Sequence, residues 1–246
     1  MSLNALRFIQ NRREVIALTN ERIKQILWYI VECYQFLQKD KPTYSKSGWK
    51  NRSTIPFEDY LKMDLVDQYL IANKDILKAK VSALEQINFT CEPQKRYVDV
   101  SDKKIKPDKI DIYINKLGLQ NEWKEQDENL YFAIECKRIK FLSDTKDYIT
   151  DIQKFTDRDH TNLRLPFEGM IAFIENKNLT HLQVSNEVNN KLKASTNINT
   201  IKSLSYAKFH NAYNGTYSSS HKRNFNKTIH FSIFHLLFDY SQYVTN

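Results

Sequence analysis

The segment KIDIYI (109–114) alternates strictly between isoleucine and other residues, and this pattern restricts the fold more than any other feature of the chain. Successive side chains of a β-strand point to opposite faces, so the three isoleucines share one face. Asp111 and Tyr113 share the other face. An apolar face of this kind must be covered by other elements, and the segment therefore predicts a half-buried strand of a packed sheet.

A second apolar segment, YFAIECKRI (131–139), predicts a buried strand. The polar stretch between the two segments predicts that they form a hairpin with a long tip. Glu135 and Lys137 are two residues apart in the second strand, so both side chains point to the same face. An acid and a base side by side on a core strand have two explanations: an ion pair at a sheet edge, or an active site.

Apolar residues at helical spacing predict helices in front of these strands. Residues 3–39 form one long helix or two, and the stretch that follows ends the helix with prolines and a glycine. A second amphipathic helix begins at Phe57 and reaches about Ile87, with its apolar residues on one stripe. Residues 89–100 predict an irregular strand that precedes KIDIYI.

The chain after YFAIECKRI predicts a helix over residues 144–160 and a short buried strand over 168–176. The order over residues 57–178 is therefore helix, three strands, helix, strand. Their apolar faces are large enough to make one core, with the other segments packed around it.

The last part of the chain is less regular. A helix over 179–195 is followed by two strand or mixed segments, which flank the polar loop NGTYSSSHKRNFNK (214–227). We expect a single domain, because a chain with 4 glycines and 5 prolines has no flexible linker. Its parts are an N-terminal helical region (1–56), a core (57–178) and a C-terminal extension (179–246).

The composition restricts partners and compartment. A net charge of +8 and a pI of about 9.2 favour a polyanionic partner, either nucleic acid or an acidic membrane. The three scattered cysteines suggest neither a disulfide framework nor a zinc ribbon. No apolar run approaches the roughly 18 residues of a membrane span, and no signal-peptide pattern is present. A cytoplasmic protein without a membrane partner is expected.

The two predicted strands together suggest a chemistry. If the hairpin register places Asp111 beside Glu135, two carboxylates and the Lys137 ammonium converge at the sheet surface. Two carboxylates repel each other unless a cation lies between them, and Mg²⁺ is held by one or two carboxylates, waters and phosphates. The side chain of Cys136 turns to the other face, but its backbone carbonyl could join the ion. Lys137 could orient a water and stabilise developing charge, so such a site attacks a phosphodiester.

These residues resemble the PD-(D/E)xK nuclease superfamily. The matching residues are Pro107, Asp108 and Asp111 in KPDKIDIYI, and Glu135 and Lys137 in IECK. The resemblance covers roughly residues 57–178, about half the chain. It implies an α/β protein with a restriction-endonuclease-like αβββαβ core, in which a mixed central sheet is flanked by helices. The N-terminal helices and the mixed C-terminal extension would be additions to that core.

The resemblance also implies an activity. In the family, the second-strand Asp and the E-x-K pair bind Mg²⁺ or Mn²⁺ and cleave nucleic acid, usually DNA. We prefer Asp111 for this role because it lies within the alternating strand. Asp108 follows proline, and a turn residue is its simpler explanation. Some family members add an acid from the helix before the sheet. Glu58 and Asp59 are the candidates, and an acid that complements the helix dipole is the alternative.

Three basic residues are candidates for contacts with nucleic acid. Lys154 lies on the helix after E-x-K, where the family often has a polar residue, and a solvated helix face explains it equally well. Lys222 and Arg223 end the stretch SSSHKR (218–223), where hydroxyl and basic groups could hold phosphates. The alternative for this stretch is a loop that is only solvated.

The sequence therefore predicts a Mg²⁺- or Mn²⁺-dependent endodeoxyribonuclease, with restriction or phage defence as the setting that the resemblance implies. Two alternatives remain open: a non-catalytic nucleic-acid-binding protein of the same fold, and an RNase. Cleavage of both DNA strands would favour a homodimer, although no interface can be recognised in the sequence.

Overall fold

The computed structural model describes residues 3–99, 102–126, 129–159 and 165–246, with side chains from residue 12 onward. The ends of two predicted segments, residues 100 and 160, lie outside these ranges. The helices are α1 (Leu3–Asp40), α2 (Lys46–Arg52), α3 (Phe57–Asp64), α4 (Lys74–Leu77), α5 (Gln120–Trp123), α6 (Thr145–Asp157) and α7 (His181–Ala194). The strands are β1 (Tyr44–Ser45), β2 (Asn88–Cys91), β3 (Gln94–Asp99), β4 (Ile105–Lys109), β5 (Ile112–Asn115), β6 (Tyr131–Ile139), β7 (Arg158–Asp159), β8 (Phe167–Ile174), β9 (Thr200–Tyr206), β10 (Thr216–Lys222), β11 (His230–Asp239) and β12 (Val244–Thr245).

A mixed seven-stranded sheet organises the chain, in the order β2-β5-β6-β8-β11-β10-β9. Strands β6, β8 and β11 run parallel, whereas the other neighbours in this sheet are antiparallel. The predicted hairpin is confirmed, because β5 and β6 are antiparallel neighbours with Ile112 opposite Ile134. The α/β class with a mixed sheet flanked by helices is confirmed as well.

Helices cover both faces of this sheet. Helix α1 is one continuous helix rather than two, because its apolar stripe is buried against the face that carries Ile112 and Ile134. Helices α6 and α7 cover the opposite face, where Tyr148 and Val188 pack on Met170 and its neighbours. All eight residues of β8 are buried, which explains why this strand is apolar on both faces apart from Glu168, whose charge is paired with Arg223.

The prediction of one helix from Phe57 to Ile87 is wrong. Helix α3 ends at Asp64, a π-helical turn continues over Leu65–Ile71, and only α4 and a 3₁₀ turn follow. The apolar residues of this segment remain buried, since Leu77, Val81, Leu84 and Ile87 all pack in the core. One continuous helix is interrupted locally instead: Ala83 has a φ of 50°, which a right-handed helix cannot contain.

The predicted strands before β6 are also divided. Over the described part of the predicted strand, residues 89–99, the chain forms β2 and β3, which are separated at Glu92, whose φ is 58°. KIDIYI is not one strand, because a bend at Asp111 separates β4 from β5. Ile110 consequently packs with Tyr113 rather than with the isoleucines of β5. Strand β3 leaves the main sheet and forms a small sheet with β4 and β7.

The prediction of a polar loop at residues 214–227 is wrong, since β10 occupies half of it and lies between β9 and β11 in the sheet. Its polar side chains are hydrogen-bonded inside the protein rather than solvated. Ser219 Oγ lies 2.7 Å from His221 Nε2 and 2.8 Å from His235 Nε2, and His235 Nδ1 lies 2.8 Å from Tyr148 Oη. A run of short polar residues predicts a loop in sequence analysis, because the buried partners that such side chains find in the fold cannot be seen in the sequence.

We expect this buried histidine pair to make the protein acid-labile. Burial and the nearby Arg223 lower the pKa of His221 to about 4, and burial together with the neighbouring His221 lowers the pKa of His235 well below its ordinary value. The unfolded chain takes up these protons near pH 6.5, so stability present above that pH is lost as the pH falls towards 4. The expected loss between pH 7 and pH 5 is about 2 kcal/mol for His221, with a further loss in the same direction from His235, measured by urea denaturation.

A variant comparison isolates this effect from other titrating groups. His221→Gln should lose about 2 kcal/mol less than the wild type between the two pH values. His230→Gln changes an exposed histidine and should leave the loss unaltered. Equal losses in the wild type and His221→Gln would contradict the assignment.

Candidate active site

The site forms beside β6, at the point where β5 begins. Strand β5 begins at Ile112, so β6 has no partner from β5 beyond Ile134, although β8 continues on its other side. The bend at Asp111 fills this gap, and Asp111 Oδ2 accepts a hydrogen bond from the backbone N–H of Cys136 at 2.8 Å. Glu135 is therefore held within an inner strand of the sheet. This placement does not fit the explanation by an ion pair at a sheet edge.

Glu135 is a buried carboxylate with no ion-pair partner among the described residues. Its side chain is only 6 % exposed, and it makes no hydrogen bond or ion pair within the part of the chain that the structure describes. Burial raises its pKa well above the ordinary value, the negative charges of Asp111, Asp151 and Asp108 raise it further, and Arg158 opposes them. The carboxylate is therefore in an environment that favours either a proton or a bound cation.

Lys137 points to the same side of β6 and is held by two acids. Its Nζ lies 3.0 Å from Asp151 Oδ2 and 3.1 Å from Glu58 Oε1. Burial opposes the charge, but Asp151, Glu58 and Asp111 outweigh it, and the pKa of Lys137 is raised. The side chain therefore remains an ammonium at neutral pH, which suits charge stabilisation and hydrogen-bond donation rather than the role of a base.

Glu58 and Asp59 take different places in the structure. Glu58 reaches β6 from the first turn of α3, and its Oε2 accepts the backbone N–H of Arg138 at 2.9 Å. Asp59 instead pairs with Lys62 at 2.9 Å. Of the two sequence candidates, Glu58 is therefore the acid that contacts the E-x-K strand. Its role in catalysis remains a prediction.

Asp151 is a site residue that the sequence reasoning missed. It is 1 % exposed on α6, its Oδ2 faces Lys137, and its Oδ1 accepts a hydrogen bond from Lys154 at 2.6 Å. A signal was present, because Asp151 lies three residues after Tyr148 and one before Ile152, both on the buried face of α6. An acid on the apolar side of a helix needs a buried partner.

A second cation occupies a neighbouring acidic cluster. Lys62 is fully buried, and its Nζ lies 2.9 Å from Asp59 Oδ1, 2.8 Å from Glu92 Oε1 and 2.9 Å from Asp111 Oδ1. The three carboxylates lie close enough together to hold a metal ion. With Lys62 in place, however, an ammonium already occupies the centre of the cluster and neutralises part of its charge. Neither Lys62 nor Glu92 was recognised in the sequence.

Asp108 and Cys136 both make contacts within the protein. Asp108 is not a turn residue: it lies within β4, is 1 % exposed and pairs with the guanidinium of Arg158. The Cys136 thiol is buried on the opposite face of β6, as expected, and its carbonyl accepts a hydrogen bond from Lys137 Nζ at 3.1 Å. A part for that carbonyl in metal binding remains a prediction.

The three basic residues that were predicted to contact nucleic acid differ in their surroundings. Lys154 pairs with Asp151 beside the site. Arg223 is 3 % exposed, donates to the Phe155 carbonyl and pairs with Glu168 at 2.8 Å. Its guanidinium is directed into the protein, so the prediction of a solvent-facing phosphate ligand at Arg223 is not supported. Lys222, half-buried at the end of β10, remains a candidate.

Comparisons with protein-family models, with curated proteins and with solved structures found no match to this chain. Across the described residues, no helix is both long enough and apolar enough to span a membrane. The functional assignment therefore depends on the geometry of the site.

Proposed function

We propose that this protein is a metal-dependent nuclease that hydrolyses phosphodiester bonds of DNA, on a restriction-endonuclease-like core. The elements that support this core are α3, β2, β5, β6, α6 and β8, in the order helix, three strands, helix, strand. Strands β2, β5 and β6 form an antiparallel meander, and β8 follows parallel to β6. The β3–β4 hairpin is an insertion between the first and second strands of this core.

The observation that carries the proposal is the buried, unpaired Glu135. A carboxylate in this position is costly unless it is protonated or neutralised by a cation. The neighbouring carboxylates of Asp111, Asp151 and Asp108 all raise its pKa. A purely structural glutamate would be expected to have a positive partner within hydrogen-bonding distance.

The donor set fits a hard divalent ion. Glu135 and Asp111 supply carboxylate oxygens, which Mg²⁺ and Mn²⁺ prefer over sulfur or imidazole sites. These two residues would hold the ion, with the Cys136 carbonyl as a further oxygen donor. When bound, such an ion supplies Lewis-acid polarisation of the scissile phosphate.

The chain's own groups complete the chemistry. Lys137 directs its ammonium towards this side of β6, where it can orient the attacking water and stabilise charge on the phosphate. Glu58 and Asp151 hold that ammonium from two different helices. Asp111 is held in turn by the Cys136 N–H and Lys62, so the site is organised by contacts within the protein.

DNA cleavage by variants of two aspartates on α6 tests this assignment. We expect the wild type to cut DNA with Mg²⁺ or Mn²⁺ and to be inactive in EDTA. Asp151→Asn should lower the rate by about 10- to 100-fold, because it loosens the contact that holds Lys137. Asp147→Asn changes an exposed aspartate one turn earlier and should cut normally.

The assay should include linear and supercoiled duplex DNA, single-stranded DNA and single-stranded RNA. Cleavage of RNA alone would show that the protein is an RNase and would contradict DNA as the substrate. DNA binding without cleavage, under every divalent ion tested, would support the non-catalytic alternative and contradict the proposal.

A further inference from the structure

Lys62 differs from the other lysines near the site because it is fully enclosed. Its ammonium contacts three carboxylates within 2.9 Å, those of Asp59, Glu92 and Asp111. An ammonium has three protons, so each of them has an acceptor. The residue lies in the last turn of α3, directly before the π-helical turn, and such irregular turns often occur at functional sites.

The surroundings of Lys62 are those of a bound cation. The three carboxylate oxygens lie within 4.8 Å of one another. Three carboxylate oxygens this close together could hold a metal ion, and around Mg²⁺ they would move closer still, because its Mg–O distances of about 2.1 Å place adjacent ligands about 3 Å apart. Lys109 also contacts Glu92, at 2.8 Å, but its side chain is 54 % exposed. Lys62 is therefore the fixed charge of the cluster.

Asp111 connects this cluster to the proposed metal site. Its Oδ1 contacts Lys62, and its Oδ2 faces the backbone of β6 next to Glu135. A divalent ion inside the cluster of Asp59, Glu92 and Asp111 would have to share the oxygens that the Lys62 ammonium already contacts, whereas an ion next to Glu135 would use the Oδ2 side of Asp111. Repulsion between the two cations disfavours that arrangement.

We propose that Lys62 is a built-in cation that takes the place of a second divalent ion, so that the site binds a single divalent ion through Asp111 and Glu135. This inference rests on the proposed function and defines its metal requirement. Lys62 acts through Asp111 and is a positioning residue. Its removal should leave three carboxylates with the geometry of an additional ion site.

Counting bound Mn²⁺ tests the proposal. By equilibrium dialysis, the wild type should bind about one Mn²⁺ per chain, and Lys62→Met should bind about two. Lys106→Met is the matched control, because Lys106 pairs with Asp99 at 2.7 Å and Asp102 at 3.0 Å in the β3–β4 hairpin. That variant also removes an ammonium from between carboxylates, and it should still bind one ion. Thermal denaturation in EDTA and in Mn²⁺ should show a larger stabilisation by Mn²⁺ in Lys62→Met than in the wild type.

The outcomes separate this inference from the nuclease assignment. Two ions in the wild type, or one ion in a folded Lys62→Met protein, would overturn the inference and leave the nuclease proposal standing. If Lys62→Met folds only with Mn²⁺, its dependence on the ion supports the inference, and the wild-type stoichiometry remains the decisive value. A wild type without any ion, combined with one ion in Lys62→Met, would overturn the nuclease proposal but support the role of Lys62.

Discussion

Lys137→Met should reduce DNA cleavage at least about a hundredfold while Mg²⁺ and DNA still bind. Methionine keeps the length of the apolar stem but removes the ammonium that Glu58 and Asp151 hold on β6. The carboxylates of Asp111 and Glu135 remain, so the ion should bind with little loss. Single-turnover cleavage, Mn²⁺ titration and DNA-binding anisotropy measure the three properties separately.

Two further variants give this experiment its controls. Lys140→Met removes an exposed lysine just beyond the end of β6 and should leave cleavage unchanged. Asp111→Asn should weaken metal binding in addition to cleavage, because it changes a proposed ligand. If Lys137→Met cuts as well as the wild type, Lys137 is only an ion-pair partner of Glu58 and Asp151.

Glu135→Gln should stabilise the metal-free protein and remove its response to divalent ions. Burial and the adjacent acids raise the pKa of Glu135, so the folded state binds a proton that the unfolded chain releases near pH 4.5. The metal-free wild type therefore loses stability as the pH rises above about 4.5, and glutamine avoids that loss. At a Mg²⁺ concentration of about 100 times Kd, the wild type should gain about 2.7 kcal/mol, which corresponds to roughly 5 to 10 °C in Tm.

Thermal denaturation at pH 7, with EDTA and with Mg²⁺, measures both effects. Glu135→Gln should show a higher Tm than the wild type in EDTA, no increase with Mg²⁺, and no cleavage. Glu187→Gln changes a glutamate that pairs with Lys191 on the surface of α7, and it should respond to Mg²⁺ like the wild type. A wild type whose Tm is unaffected by any divalent ion would contradict the metal site.

Local patterns in the sequence were sufficient to predict the faces of β6, the β5–β6 hairpin and helix α6. The alternation of β6 places Glu135 and Lys137 on one face and Cys136 on the other, because a strand has a period of two. Polar residues between two apolar segments predicted the β5–β6 hairpin, and the helical spacing of Tyr148 and Ile152 predicted α6. These features depend on neighbours within a few positions in the chain, and such patterns are visible without the fold.

The contacts between the site residues could not be predicted from the sequence, because they join residues that only the fold brings together. Glu58 and Lys137 are 79 positions apart, and Lys62 and Asp111 are 49 positions apart. Periodicity identifies the face on which a side chain lies, but it does not identify which helix packs against that face. Asp151 could be recognised as an acid on a buried stripe, yet its contact with Lys137 exists only because α6 covers that side of β6.

The errors have the same physical origin. Arg223 and its polar neighbours look like a solvated loop in sequence, but β9 and β11 enclose β10, and Glu168 supplies the counter-charge for the guanidinium. KIDIYI looks like one strand, but Asp111 is pulled into a bend by hydrogen bonds to β6 and Lys62. A buried polar group needs a partner that is distant in the chain, and only the packing of the whole domain supplies it.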